Sequence, residues 1–150
     1  MSAGDRKRVL FVCIHNSARS QMAEGFLRHL AADAFEAYSA GTEPGTLHPL
    51  AVEAMAESGI DISGQRAKSM DEFADQSFEY AITVCDEVCE ACPYFPNARV
   101  HAHWGFPDPS LAEGTHEERL AVFREVRDGI RDRVEQFAAG VASGGQPEEK

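Results

Sequence analysis

Near its amino end the chain sets Cys13 and Arg19 six positions apart, in the run Cys13-Ile14-His15-Asn16-Ser17-Ala18-Arg19-Ser20. A thiolate is a strong nucleophile, and a guanidinium offers a planar fork of donors to two oxygens of a tetrahedral anion. Ser17 and Ser20 add hydroxyl donors for the sulfur or for a bound oxyanion. Asn16 tolerates a left-handed backbone, which a tight loop without glycine needs somewhere. With the intervening backbone amides, residues 14–20 form a candidate substrate cradle around the Cys13 nucleophile.

Such a cradle needs elements on both sides to hold it. Val9-Leu10-Phe11-Val12 is short, apolar and rich in β-formers, and reads as a buried strand of a parallel sheet. Gln21-Met22-Ala23-Glu24-Gly25-Phe26-Leu27 has amphipathic spacing, which predicts a helix over residues 20–32. A loop between a strand's carboxyl end and a helix's first turn gathers free N–H groups and the positive end of the helix dipole. That setting favours a bound anion and an ionised thiol. The plainer reading makes Cys13 a small buried hydrophobe and Arg19 a solvated charge. The strand, loop and helix order around the Cys13–Arg19 step favours the anion loop.

Further along, Phe35-Glu36-Ala37-Tyr38-Ser39-Ala40 reads as a second strand, broken by Gly41-Thr42-Glu43-Pro44-Gly45. Pro49 and Gly59 bracket a helix carrying Leu50, Val52, Ala54 and Met55. Ser69-Met70-Asp71-Glu72 is a capping box for a short helix, and Phe78, Tyr80, Ile82 and Val84 alternate as a strand ending at Cys85. Val100, Ala102 and Trp104 mark a fourth strand that runs toward Asp108. Thr115-His116-Glu117-Glu118 caps a last helix whose Phe123, Val126, Ile130, Val134 and Phe137 share one face. Alternating strands and helices predict an α/β fold: a single domain over residues 1–139 with a four-stranded parallel sheet flanked by helices on both faces. Residues 140–150 read as a disordered polar tail. Ligands gather at the carboxyl ends of such strands, where Cys13, Cys85 and Asp108 all fall.

With 14 basic against 25 acidic residues the net charge is -11, which argues against a nucleic-acid surface and makes the anion loop a local positive spot. No apolar run suits a membrane span, and the apolar stretch after Arg6-Lys7-Arg8 is too short for a signal peptide. A cytoplasmic protein is expected. Its four cysteines then point to catalysis or metal binding before structural disulfides.

Cys85, Cys89 and Cys92 crowd three thiols into a stretch also holding Asp86, Glu87 and Glu90. An iron–sulfur reading fits the spacing but needs a far larger barrel around it. A zinc reading recruits His101 or His103 as the fourth ligand. A buried structural role conflicts with the acidic neighbours, which predict a wet surface loop. A redox relay uses one thiol to resolve an adduct on another and a third to carry the disulfide outward.

Cys13-x-x-Asn16-x-x-Arg19-Ser20, with Ser39-Ala40-Gly41-Thr42, resembles the low-molecular-weight protein tyrosine phosphatase superfamily, which includes thioredoxin-coupled arsenate reductases. The seven-residue step from Cys85 to Cys92, the following Pro93, His103-Trp104-Gly105-Phe106 and Asp108-Pro109 resemble those reductases in particular. The phosphatases lack relay cysteines and usually carry tyrosines near the Asp-Pro, where this chain has Ser110-Leu111.

The resemblance implies arsenate as substrate, attacked by Cys13, held by Arg19 and the loop amides, with Asp108 as general acid. Taken alone, Asp108 is an ordinary turn residue before proline. The resemblance further implies that Cys85 resolves the Cys13 adduct and that Cys92 takes over the disulfide for reduction by thioredoxin. No tightly bound cofactor follows, and a monomer is expected. The relay requires the loop from Cys85 to Cys92 to move, since a disulfide needs Cα atoms within about 7 Å. Cys89 departs from the pattern, as a bystander or an alternative resolving thiol. Some members hold a potassium ion through residues matching Asn16, Glu24, Ser39 and an aspartate that aligns with Lys68; an ammonium there implies no metal requirement, against the plain reading of a solvated lysine. Two rivals stand beside this reading: a tyrosine phosphatase using Cys13, Arg19 and Asp108 alone, and a zinc-binding or arsenic-sensing module without turnover.

Overall fold

The computed structural model describes residues 6–85 and 94–142. Four strands, β1 (Lys7–Cys13), β2 (Phe35–Gly41), β3 (Phe78–Thr83) and β4 (Ala98–His103), form one sheet in the order β2-β1-β3-β4. Every pairing is parallel. β1 is central, which explains its unbroken apolar run: Val9, Leu10, Phe11 and Val12 are all fully buried.

Three helices follow: α1 (Arg19–Leu30), α2 (Pro49–Glu57) and α3 (His116–Ala142). Val9 and Phe11 join one core with Met22, Phe26 and Leu27 of α1, Ala54 and Met55 of α2, and Phe123, Ile130 and Phe137 of α3. Leu10 and Val12 point to the opposite face, where Phe73, Phe78 and Phe95 close a smaller core. Phe73 belongs to the 3₁₀ turn Met70–Phe73, so helical segments lie over both faces of the sheet. Among the described residues, no helix is long and apolar enough to cross a membrane.

The expected end signals act as read. His48 precedes Pro49 and its ring accepts the Leu50 N–H, while Gly59 past the other end of α2 has φ 80°. Thr115 and Glu118 form a reciprocal capping box on α3, with bonds of 2.8 and 3.1 Å. Three boundaries differ from expectation. α1 begins at Arg19 and stops at Leu30, because residues 31–34 turn back to deliver Phe35 to the sheet edge. The predicted short helix at Ser69 is a single 3₁₀ turn; Ser69 caps Asp71, but the Glu72 carboxylate pairs with Arg66 at 2.8 Å. α3 is described through Ala142, beyond the expected domain end at residue 139, and residues 143–150 of the expected tail lie outside the described residues.

Candidate active site

The run from Cys13 to Ser20 bridges the end of β1 and the start of α1. The carbonyls of Ile14, His15 and Ser17 accept bonds from Glu43, Gly45 and His48 at 2.8 to 2.9 Å. A trans peptide points its N–H opposite its C=O, so the amides that follow these carbonyls turn away from residues 43–48. Gly41 makes this approach feasible, since a Cβ there would lie 2.4 Å from the Ile14 carbonyl oxygen. Asn16 takes the left-handed turn, φ 53°, as expected. α1 has no side-chain N-cap, its cap residue being Ala18, which leaves the first amides and the positive dipole end to the loop.

Cys13 is a free thiol, 2% exposed, with Sγ 3.0 Å from Ser20 Oγ. The Asn16 side-chain amide donates to that same Ser20 oxygen at 2.7 Å. One lone pair of Ser20 Oγ accepts from Asn16, and its hydroxyl proton is free to be donated to the Cys13 sulfur. Arg19 is 3% exposed; Nη1 donates to the Phe106 carbonyl at 3.0 Å and Nη2 lies 3.6 Å from Asp108 Oδ2. Asp108 follows β4 and caps the 3₁₀ turn Pro109–Leu111. The structure therefore brings Cys13, Arg19, Ser20 and Asp108 to one end of the sheet. The His15 ring is exposed, and its Nδ1–H donates to the Glu43 carbonyl at 3.0 Å, bracing the loop from outside.

Cys85 follows β3, the neighbour of β1, and the Val84 N–H bonds the Val12 carbonyl at 3.0 Å, so Cys13 and Cys85 leave adjacent strand ends. Cys85 is disulfide-bonded, and not to Cys13, whose thiol is free. The acidic neighbours suggested a wet loop, yet Cys85 itself is fully buried, since it continues directly from Val84 in the core. Cys89 and Cys92 lie outside the described residues. His101 Nε2–H donates to the Phe95 carbonyl at 2.8 Å, and His103 Nδ1 lies 2.7 Å from Thr83 Oγ1. Among the described residues no group of His, Cys, Asp and Glu is arranged to hold a metal ion.

Beneath the loop, Asn16, Glu24, Ser39 and Lys68 meet, the set that the family resemblance implied. Ser39 Oγ–H donates to Glu24 Oε1 at 2.5 Å, Lys68 Nζ lies 3.7 Å from that oxygen, and the Lys68 N–H donates to Asn16 Oδ1 at 2.8 Å. Burial pushes the Lys68 ammonium below its ordinary pKa, while Glu24 opposes that shift. Arg28 closes the cluster at 2.6 Å from Glu24 Oε2.

Two residues escaped the sequence reading. Gln21 is fully buried, and its Nε2 donates to Asn16 O, Asn16 Oδ1 and Arg66 O at 2.9, 3.0 and 2.8 Å, fixing the turning residue of the loop. Its signal was a long polar side chain immediately beside buried Met22. Ser110 donates through both N–H and Oγ–H to Asp108 Oδ1, at 2.9 and 2.7 Å. The serine directly after Asp-Pro was that signal.

A family model described as low molecular weight phosphotyrosine protein phosphatase matches residues 8–146. The arsenate reductase of Halalkalibacterium halodurans is 45% identical over 134 residues, covering 89% of this chain and 96% of the relative. A solved arsenate reductase in the phosphate binding state is 36% identical with a TM-score of 0.72, covering 89% of this chain and 97% of the other. The thioredoxin-dependent arsenate reductase of Corynebacterium glutamicum is 27% identical with a TM-score of 0.70, covering 95% of this chain and 65% of the other.

Proposed function

Since the chain belongs to the low molecular weight phosphotyrosine protein phosphatase family, in its arsenate reductase branch, we propose that it reduces arsenate to arsenite with Cys13 as nucleophile and thioredoxin as reductant. One observation carries this reading: an oxyanion loop around a free Cys13 stands beside a disulfide-bonded cysteine at the adjacent strand end. Hydrolysis of a phosphate ester needs only the first of these.

Cys13 sulfur bonds to arsenic while an arsenic–oxygen bond breaks; Arg19 and the loop amides hold the oxygens, and Asp108 gives its proton so that the oxygen leaves as water. Arsenic is still at +5. The Cys85 thiol, freed from its disulfide by thioredoxin before the cycle starts, then attacks the Cys13 sulfur, and arsenic departs with the electron pair as arsenite. Attack by the Cys92 thiolate on Cys85 moves the disulfide and frees Cys13, and the thioredoxin dithiol reduces the Cys85–Cys92 bond. Ile14, His15, Asn16, Ser17 and Ala18 serve as the substrate cradle, with Ser20 supporting the thiolate.

The proposed reacting groups all belong to one chain, so turnover needs no second copy, and dependence on reduced thioredoxin suits the cytoplasm. Electrons arrive from that partner without a tightly bound cofactor. Glu24, Ser39, Asn16 and Lys68 form a closed polar cluster in which the ammonium takes the place of a structural cation.

The deciding experiment follows NADPH consumption with arsenate, thioredoxin and thioredoxin reductase. Sustained consumption that disappears in Cys85→Ser is expected. No consumption by the unaltered chain, with its aryl phosphate hydrolysis intact, would make this a phosphatase.

A further inference from the structure

The two oxygens of Asp108 live in different surroundings. Oδ1 accepts the Ser110 N–H at 2.9 Å and the Ser110 hydroxyl at 2.7 Å, while Oδ2 lies 3.6 Å from Arg19 Nη2. The N–H bond is the ordinary turn made by an aspartate before a 3₁₀ segment, and any residue at position 110 other than proline could supply it. The hydroxyl bond is particular to this serine. Both Ser110 donors hold Oδ1, which leaves Oδ2, the oxygen on the Arg19 side, as the one placed to deliver a proton toward the anion loop. Arg19 is itself fixed by its bond to the Phe106 carbonyl, so Oδ2 faces a guanidinium held in a set place.

We propose that Ser110 is a positioning residue for proton donation: its hydroxyl locks the Asp108 carboxyl so that Oδ2–H faces the leaving oxygen of the oxyanion. This rests on the reading of Asp108 as general acid. In the step concerned, the Cys13–arsenic bond forms, one arsenic–oxygen bond breaks, and the Oδ2 proton leaves with that oxygen as water. Asp108 ends as a carboxylate with Oδ1 still bound to Ser110, and no electrons change hands. Ser110 bonds to Asp108 and acts by removing rotation of that side chain, since misplaced proton donors lose rate steeply.

The test is a set of single-turnover measurements on the full chain at saturating arsenate, following loss of the Cys13 thiol. Ser110→Ala keeps the backbone bond and deletes only the hydroxyl. It is expected to slow the step about tenfold while leaving half-saturation by arsenate nearly unchanged, the signature of a group acting in the transition state. Ser110→Thr restores a hydroxyl at the same position and is expected to recover most of the rate. Combined with Asp108→Asn, which has no acidic proton to aim, Ser110→Ala is expected to cost less than about twofold more. If Asp108→Asn alone reacts at the wild-type rate, the general-acid reading fails and this proposal falls with it. If Asp108→Asn is slow but Ser110→Ala matches wild type, or Ser110→Thr fails to recover, or the Ser110→Ala loss persists in full beside Asp108→Asn, the acid stands and Ser110 does not position it.

Discussion

Arg19 and Asp108 face each other at the mouth of the anion loop, Nη2 to Oδ2 at 3.6 Å, with both side chains largely withdrawn from water. In the proposed first step the guanidinium holds the oxyanion while the carboxyl delivers a proton to the oxygen that leaves. Asp108→Asn keeps the shape and the turn, so arsenate binding and the circular dichroism spectrum should be retained. The rate of adduct formation at neutral pH should fall by about 10²- to 10⁴-fold. Quenched-flow measurement of arsenate-dependent Cys13 loss checks this, and an unchanged rate removes Asp108 from the chemistry.

The proposed relay divides the cysteines by step. Cys13→Ser should abolish both adduct formation and turnover, and residual turnover would overturn the nucleophile assignment. Cys92→Ser should release about one arsenite per enzyme and then stall, because Cys13 and Cys85 remain joined. Counting arsenite by mass spectrometry separates that outcome from sustained thioredoxin-driven turnover, which would hand the last transfer to Cys89.

Lys68 stands against the buried Glu24 carboxylate, and the proposed role of its ammonium is to fill a structural cation's place. Thermal unfolding should therefore be the same in potassium and sodium chloride at equal ionic strength. Lys68→Met should lower the midpoint, at a cost of roughly 1–3 kcal/mol for a buried charge that has lost a partner. Lys68→Asp should gain a stabilisation specific to potassium. A potassium requirement in the unaltered chain would show that Lys68 leaves the cation's place open.

Much of this was legible because local signals and tertiary packing agree. The unbroken run at Val9–Val12 is a central strand, and Thr115 with Glu118 caps α3 as its spacing says. The Cys13-to-Arg19 step lies at the strand–helix junction it requires. What escaped the sequence depends on contacts across long separations. Gln21 reaches Arg66 and Gln65, and no periodicity encodes that a helix residue will be roofed by a loop more than forty positions away. Ser110 escaped for the opposite reason: its partner is two residues off, but short-range polar spacing does not tell a functional carboxylate from a plain turn. Cys85 looked wet from its acidic neighbours because burial at a strand end is decided by β1 beside it.

Gln21 should prove costly to replace. Gln21→Leu removes the donor shared by Asn16 O, Asn16 Oδ1 and Arg66 O, and leaves the Gln65 amide without its 2.7 Å acceptor. Buried groups left unmatched cost roughly 2–3 kcal/mol here, a fall of several degrees in unfolding midpoint. Because Asn16 turns the loop and orients Ser20, phosphate affinity measured by calorimetry should weaken as well. Full stability with weaker phosphate binding would make Gln21 a loop positioner only; loss of neither would show that water replaces its bonds.

His48 ties pH to the entrance of α2. Its Nδ1 accepts the Leu50 N–H at 3.0 Å, so the ring caps the helix only while that nitrogen is unprotonated. Burial against Phe123 holds its pKa below the ordinary 6.5; Arg119 pushes the same way and Asp108 opposes. The folded chain therefore takes up this proton less readily than the unfolded chain. The resulting stability is complete above pH 6.5 and declines as pH falls below it, where the unfolded chain protonates first. His48→Asn keeps an oxygen that caps helices and cannot titrate. Urea midpoints at pH 7.5 and 5.5 should drop more for the unaltered chain than for His48→Asn. Equal drops would mean that the ring finds another arrangement on protonation, and that the acid sensitivity of the fold lies in other groups.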